Sequence, residues 1–432
     1  MTMSVDVRDK SQALVVDLYF DRAPLQSCGI LSTGYGKSKV AIDIISRLNP
    51  KKVLILVNST LLRDFNWEEE FKRWKKLTLF RKKVELVTYQ AAYKWKKEDK
   101  DLTDYFIIAD ECDFAADTDE LSKFFYEYST CRILGLTGFV TESKRAWFDV
   151  HLPIFTELTA DQAQEEGILN KIHFVFVQYE LSQDSKSHEV EYYKHGTKVS
   201  FTQSESNAYD YINKKCQIEI SKSAQIHQDF MQGKLTYDEY EKATKNAEYQ
   251  VRRVTQERSA LLLKSVSART AARGLIEHVR TSKPDSKIIV FSKRTEQSLA
   301  ICGTANTYNG SIPKKQRDEN YLNFLQGKID LLGVCDKVDR GANIDRLNVG
   351  ILETFFGNDT KAAQRLGRLM RLKPDELAIV YVLLPYYMRR EQNNTYTLQE
   401  TQQVKWARNM LRSTKIKSSE VWNYCTVKPK QK

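Results

Sequence analysis

Short apolar runs and helical patterns take turns along most of this 432-residue chain. That alternation limits the fold more than any other feature. Cys28–Leu31, Lys52–Val57, Val84–Val87, Tyr105–Ala109 and Ile133–Leu136 are apolar runs of strand length. Lys39–Leu48, with Val40, Ile44 and Leu48 in phase, and the stretch near Leu61–Trp74 carry helical periodicity. Strand and helix repeated in this way predict a parallel sheet covered on both faces. The same alternation resumes at Lys287–Phe291, Asp330–Val334, Val349–Thr354 and Ala378–Leu384, with helical patterns at 294–302, 314–326 and 360–372.

Between these blocks the pattern changes. Thr159–Gln162 fits a capping box opening a short helix that Gly167 ends, and Thr236–Glu239 is a second such box. Residues 184–204 are polar without period, and 205–282 are charged, helical and nearly free of Gly and Pro. The fold class expected is α/β: two parallel-sheet domains at 1–180 and 266–390, a mostly helical insertion at 181–265, and a basic helical tail at 391–432.

Composition sharpens this. Gly 17 and Pro 8 are low shares, against a linker-dominated or many-turned β architecture. The net charge of +11 raises the expectation of a polyanionic partner. It is concentrated: residues 72–100 hold eleven Lys/Arg and three Asp/Glu, and 401–432 hold eight Lys/Arg and only Glu420. Seven Cys without a C-x-x-C pair read as reduced thiols, and the dispersed His make a zinc site improbable. No secretory signal and no membrane-length apolar run is visible, so a cytoplasmic location is expected.

Three motifs carry chemistry. Ser32-Thr-Gly-Tyr-Gly-Lys-Ser38 lies between a strand and a helix, where main-chain N–H groups and a helix N-terminus can hold phosphate. Thr33, Gly34 and Gly36 shape the loop, Lys37 would reach the β- and γ-phosphates, and the Ser38 hydroxyl would hold Mg²⁺. The full pattern asks for Gly at 31, where this chain has Leu31. The second motif is a strand ending in Asp110-Glu111-Cys112-Asp113. Asp110 would hold the metal and Glu111 would activate water. In the third, Gln364 to Arg371, the arginines at 365, 368 and 371 share a helical face. Arg368 and Arg371 are candidate arginine fingers.

With these residues the chain resembles superfamily 2 helicases over about 1–180 and 265–385, which implies two RecA-like domains, ATP and Mg²⁺. Gln12 resembles the upstream glutamine that recognises adenine. Asn58 and Thr60 fall in a stretch similar to motif Ia, and Thr88, Tyr89 and Gln90 in one similar to the next nucleic-acid-contacting motif. Leu136-Thr-Gly-Phe139 resembles motif III, where Gly138 and Phe139 depart from the usual Thr-Ala-Thr. Ser292 and Lys293 fall in or beside a match to motif IV, with Asn309 and Gly310 in the turn after it. Gly341 and Asp345 fall in a match to motif V. Gln364 to Arg371 matches motif VI at every fixed position. By this resemblance Gly341, Asp345 and Gln364 join the nucleotide site.

The stretch Phe155–Leu169 is similar to UvsW-type phage branch-migration helicases and their restriction and repair relatives. That likeness implies duplex or branched DNA as partner, a role in recombination, repair or replication, and a host-cytoplasm location; a monomer is compatible with it. Lys94 and Trp95, inside the basic 72–100 segment, would contact phosphates and stack on bases. An RNA helicase, a scaffold with a degenerate ATPase site and the motor of a restriction complex remain alternatives.

Overall fold

The computed structural model describes residues 3–58, 67–95, 100–194, 197–335, 347–354, 376–391, 393, 395–405, 407, 419–423 and 428–429. The chain divides into two compact units, the first built mainly from residues up to His173 and the second beginning at Phe174.

The first unit opens with a helix that the sequence pattern does not announce, α1 (Met3–Arg22). Then follow β1 (Gln26–Leu31), α2 (Lys37–Leu48), β2 (Lys52–Val57), α3 (Trp67–Arg73), α4 (Leu77–Lys83), β3 (Val84–Thr88), α5 (Tyr89–Ala92) and β4 (Tyr105–Asp110). A 3₁₀ turn (Cys112–Asp117), α6 (Asp119–Glu127), β5 (Arg132–Thr137), α7 (Glu142–His151), β6 (Ile154–Leu158) and α8 (Ala160–Glu165) complete it. The strands pair in the order β3-β2-β4-β5-β1-β6, all parallel. The inner strands are unbroken apolar runs because helices cover both faces: Leu54, Ile55, Ile107, Ile108, Ile133 and Leu134 are all sealed from solvent. The box at Thr159–Gln162 is present, each residue's side chain meeting the other's main-chain N–H.

The second unit takes β7 (Lys171–Glu180) into its own sheet, so residues 171–180 do not belong with the first sheet as expected. The polar stretch after it is a separate antiparallel hairpin, β8 (His188–Lys194) and β9 (Thr197–Gln203), where no element was expected. Two long helices follow, α9 (Glu205–Met231) and α10 (Tyr237–Leu262), each about 40 Å long at 1.5 Å per residue. They form a hairpin: Arg258 donates to Asn213 at 2.8 Å near its base, and Phe230 stacks on Tyr240 at 4.2 Å near its tip. The Thr236–Glu239 box caps α10.

The alternation then returns as α11 (Val266–Ser282), β10 (Lys287–Ser292), α12 (Thr295–Cys302), β11 (Thr307–Tyr308), α13 (Lys314–Leu325), β12 (Leu331–Cys335), β13 (Leu347–Leu352) and β14 (Leu377–Arg390). The described parts of the tail contain β15 (Tyr396–Glu400), β16 (Ser419–Asn423) and β17 (Lys428–Pro429) beside a helical stretch at 402–405, so strands accompany the helical tail that was expected. The sheet runs β11-β12-β10-β13-β14-β7-β16-β17, with β15 on β14. Trp422 of β16 packs against Tyr381 and His278, so tertiary pairing and aromatic packing override the weak local pattern.

Glu205, only 1% exposed, anchors the base of the helical hairpin. Its carboxylate accepts from the main-chain N–H groups of Ser182, Val266 and Ser267 and from the hydroxyls of Ser265 and Ser267. Two of those N–H groups open α11, where a helix N-terminus favours negative charge.

Candidate nucleotide site

β1 delivers the chain to the phosphate loop at the C-terminal edge of the first sheet. Leu31 is its last residue, fully buried in the core, and the tight turn begins only at Ser32, whose carbonyl accepts from Tyr35 N–H at 3.1 Å. A glycine at 31 is therefore unnecessary: the left-handed backbone falls at Gly34 (φ 91°) and Gly36 (φ 103°). Gly36 also faces Gln12 so closely that a Cβ would collide with its amide nitrogen. α2 starts at Lys37, which places Lys37 and Ser38 in its first turn.

The loop is held from outside by α1. Gln12 donates its amide N–H to the Tyr35 carbonyl at 2.7 Å, and the Ser11 and Tyr35 hydroxyls meet at 2.8 Å. Gln12 is 3% exposed and its buried Oε1 meets no hydrogen-bond partner among the described residues. A buried acceptor of that kind is costly unless a ligand donor reaches it.

β4 brings Asp110 and Glu111 to the same edge. Lys37 Nζ lies 3.4 Å from Glu111 Oε1, so the phosphate loop and the acidic turn meet directly. Glu111 sits at φ 50°, ψ 51°, a left-handed conformation that costs a non-glycine residue stability. Trp67 Nε1 donates to Asp110 Oδ2 at 3.1 Å, and the Tyr89 hydroxyl donates to the Asp110 carbonyl at 3.1 Å. Burial and the neighbouring Glu111 charge push the Asp110 carboxyl up to about 7, with Lys37 and the Trp67 N–H offsetting only part of that.

Motif III lies alongside. Thr137 donates to Asp113 Oδ1 at 2.8 Å. Burial, then Glu111, raises the Asp113 carboxyl to about 6 against the Thr137 hydrogen bond and Lys144. A Cβ at Gly138 would stand 2.7 Å from Thr33 Oγ1 and 3.4 Å from Lys37 Nζ. Glycine here, in place of the usual alanine, lets the segment press against the phosphate loop.

The structure thus brings together Gln12, Thr33, Gly34, Gly36, Lys37, Ser38, Asp110 and Glu111. Sequence reasoning missed Trp67 and Lys144; the only available signal was a tryptophan inside an expected amphipathic helix. Thr60, Gly341, Asp345, Gln364, Arg368 and Arg371 lie outside the described residues. Of the nucleic-acid candidates, Gln90, Lys94 and Gly310 are exposed, Thr88 is half-buried, and Trp95 is half-buried under Lys100, whose Nζ lies 3.8 Å from the ring centroid. Tyr89 is a correction: it is 1% exposed and serves the acidic turn rather than a stacking surface. Asn58, Ser292 and Asn309 are buried too, Asn309 holding its own turn by accepting from the Ser311 N–H and hydroxyl and tying it to α12 by donating to the Thr295 carbonyl. Lys293 follows the end of β10. The basic segment is partly neutralised, since Lys72, Arg73 and Arg81 pair with Glu69, Glu70 and Glu68.

Comparison with known proteins accords with this geometry. Residues 20–142 match the family described as type III restriction enzyme, res subunit, and residues 267–373 match the helicase conserved C-terminal domain. Together the two matches support a superfamily 2 helicase. A curated relative, the DNA 3'-5' translocase XPB2 of Sulfurisphaera tokodaii, is 25% identical over 194 residues, which is 43% of this chain and 41% of the relative. The match therefore spans about two-fifths of the length of that relative. Solved structures share the fold of two RecA-like domains. The Hef helicase domain of Pyrococcus furiosus has TM-score 0.51 at 15% identity, covering 93% of this chain and 97% of that one. Dbp5 of S. cerevisiae, bound to RNA and ADP BeF3, has TM-score 0.54 at 9% identity, covering 96% and 89%. The restriction-modification enzyme LlaBIII bound to DNA has TM-score 0.55 at 14% identity, covering 97% of this chain and 31% of that one.

Proposed function

We propose that this helicase hydrolyses ATP with Mg²⁺ to move along DNA, and that its substrates are duplex or branched DNA of the kind remodelled in recombination and repair. The observation that carries the reading is the meeting of Lys37 and Glu111 at 3.4 Å beside the half-buried Asp110. The donor set suits Mg²⁺: two adjacent carboxylates, that of Asp110 only partly offset by Lys37 and Trp67, with the Ser38 hydroxyl in the first turn of α2. Bound there, the ion would neutralise charge on the phosphate oxygens. Lys37 and the N–H groups opening α2 bind the phosphates, Gln12 offers Oε1 to an adenine donor, and Glu111 takes the proton of the attacking water. Arg368 and Arg371 are proposed to complete the charge stabilisation. DNA is favoured over RNA by the translocase relative and by the restriction-family match.

The test is ATP turnover and strand displacement on forks, four-way junctions, plain duplex, single-stranded DNA and RNA. Stimulation by branched DNA is expected. Lys37→Ala and Glu111→Gln should each lose turnover by on the order of 10²–10⁴-fold while remaining folded. Equal turnover in both variants defeats the reading, and stimulation by RNA alone replaces the substrate.

A further inference from the structure

We infer that Lys144, on α7, is a positioning residue for Glu111, holding in place the 3₁₀ turn that follows it. The inference rests on the ATPase reading of the site and adds a residue to it that no motif contains.

Glu111 starts that turn from a left-handed backbone, and its carbonyl accepts from Phe114 N–H at 3.1 Å. Such a conformation persists only where the surroundings enforce it. The enforcement comes from α7. Lys144 Nζ donates to the Asp113 carbonyl at 2.8 Å, pairs with Asp117 Oδ1 at 2.6 Å, and lies 3.8 Å from Asp113 Oδ2. The Lys144 side chain is 18% exposed and that of Asp113 9%, so the Asp113 contacts are shielded from solvent far more than a surface pair would be, whereas Asp117 is 52% exposed. Lys144 thereby grips the first and last residues of Asp113–Asp117. Thr137, seven positions earlier, holds the Asp113 carboxylate from the other side. Gly138, between them, lies against Thr33 and Lys37. One short segment, 137–144, therefore touches both the phosphate loop and the turn that carries the water-activating carboxylate. Moving that segment shifts Glu111 relative to the phosphates, and a displacement of an ångström is enough to slow chemistry strongly.

The experiment compares wild type with Lys144→Met, Lys144→Arg and Asp117→Asn by steady-state ATPase, nucleotide binding and thermal melting. Lys144→Met is expected to lower kcat by on the order of tenfold to a hundredfold, with the dissociation constant for a non-hydrolysable ATP analogue changed less than about threefold. Lys144→Arg should recover most of kcat, and Asp117→Asn, which keeps the grip on the Asp113 carbonyl, should stay near wild type. Unchanged kcat in Lys144→Met, in a wild type that hydrolyses ATP, overturns the inference and leaves the ATPase reading intact. A kcat loss that merely tracks unfolding of Lys144→Met, with no recovery in Lys144→Arg, overturns it too. Absence of turnover in wild type would instead defeat the ATPase reading itself.

Discussion

Two carboxylates, one in each unit, sit in opposite circumstances. Glu205 is met by five donors, three main-chain and two hydroxyl, and so functions as a rivet at the base of the helical hairpin. Asp110 receives the Trp67 indole and a main-chain N–H, sits beside a second carboxylate, and holds its proton up to about 7. An acid with its donors supplied stabilises a fold, whereas one left short is kept for a ligand. Exposure separates the two as well: Glu205 is buried, whereas Asp110 is half-buried at the end of β4.

The comparison breaks or sharpens in three ways. The largest effect is reciprocal. Asp110→Asn should cut ATP turnover by on the order of 10²–10³-fold, a loss of several kcal/mol of charge stabilisation. It should leave the nucleotide-free protein at least as stable at pH ~8, because it removes a charge that desolvation and the neighbouring Glu111 disfavour. Glu205→Ala strands buried donors and should cost about 2–4 kcal/mol in chemical denaturation. If Asp110→Asn destabilises and Glu205→Ala does not, the contrast is wrong.

The second is the pH dependence of stability without nucleotide. A free carboxylate titrates near 4, while Asp110 is raised to about 7 and Asp113 to about 6. The folded state therefore binds these protons more tightly. Their stabilisation is complete below about pH 4 and is lost as pH rises through 6 to 7. Melting midpoints of wild type should fall across that window relative to Asp110→Asn, and superimposable profiles would refute the shift. The smallest effect concerns Gly138→Ala, which should raise the KM for ATP severalfold. Adding Thr33→Ala should recover part of that loss relative to Thr33→Ala alone, a coupling of about 1 kcal/mol. Strict additivity would mean that the two residues do not press on each other.

Much of this was legible beforehand. The inner strands of the first sheet announce themselves because burial on both faces demands unbroken apolar runs, and both capping boxes follow from four residues each. The candidate site is legible for a similarly local reason: Asp110 ends β4, Glu111 follows it, and Lys37 opens α2 after the turn that leaves β1. What escaped depends on partners far along the chain. α1 is polar outside and earns its place through Gln12 and Tyr35. Tyr89 looks like a surface aromatic in its motif but belongs to the Asp110 carbonyl. Lys144 has no local signature, since its meaning lies in three oxygens 27 to 31 positions earlier. Strands β8, β9 and β16 form by pairing rather than by pattern.

The pairing of β16 with β7 joins Ser419 to Phe174, some 245 positions apart, whereas the strands of the first sheet all lie within residues 26–158. During synthesis the two sheets therefore ripen on different clocks. At ordinary ribosome speeds the edge of β7 waits roughly ten to fifty seconds for its neighbour to emerge. Through that interval it is an open strand edge, the kind on which nascent chains misassemble. The second unit is thus the part of this protein whose yield should respond to a lower growth temperature or to chaperone supply.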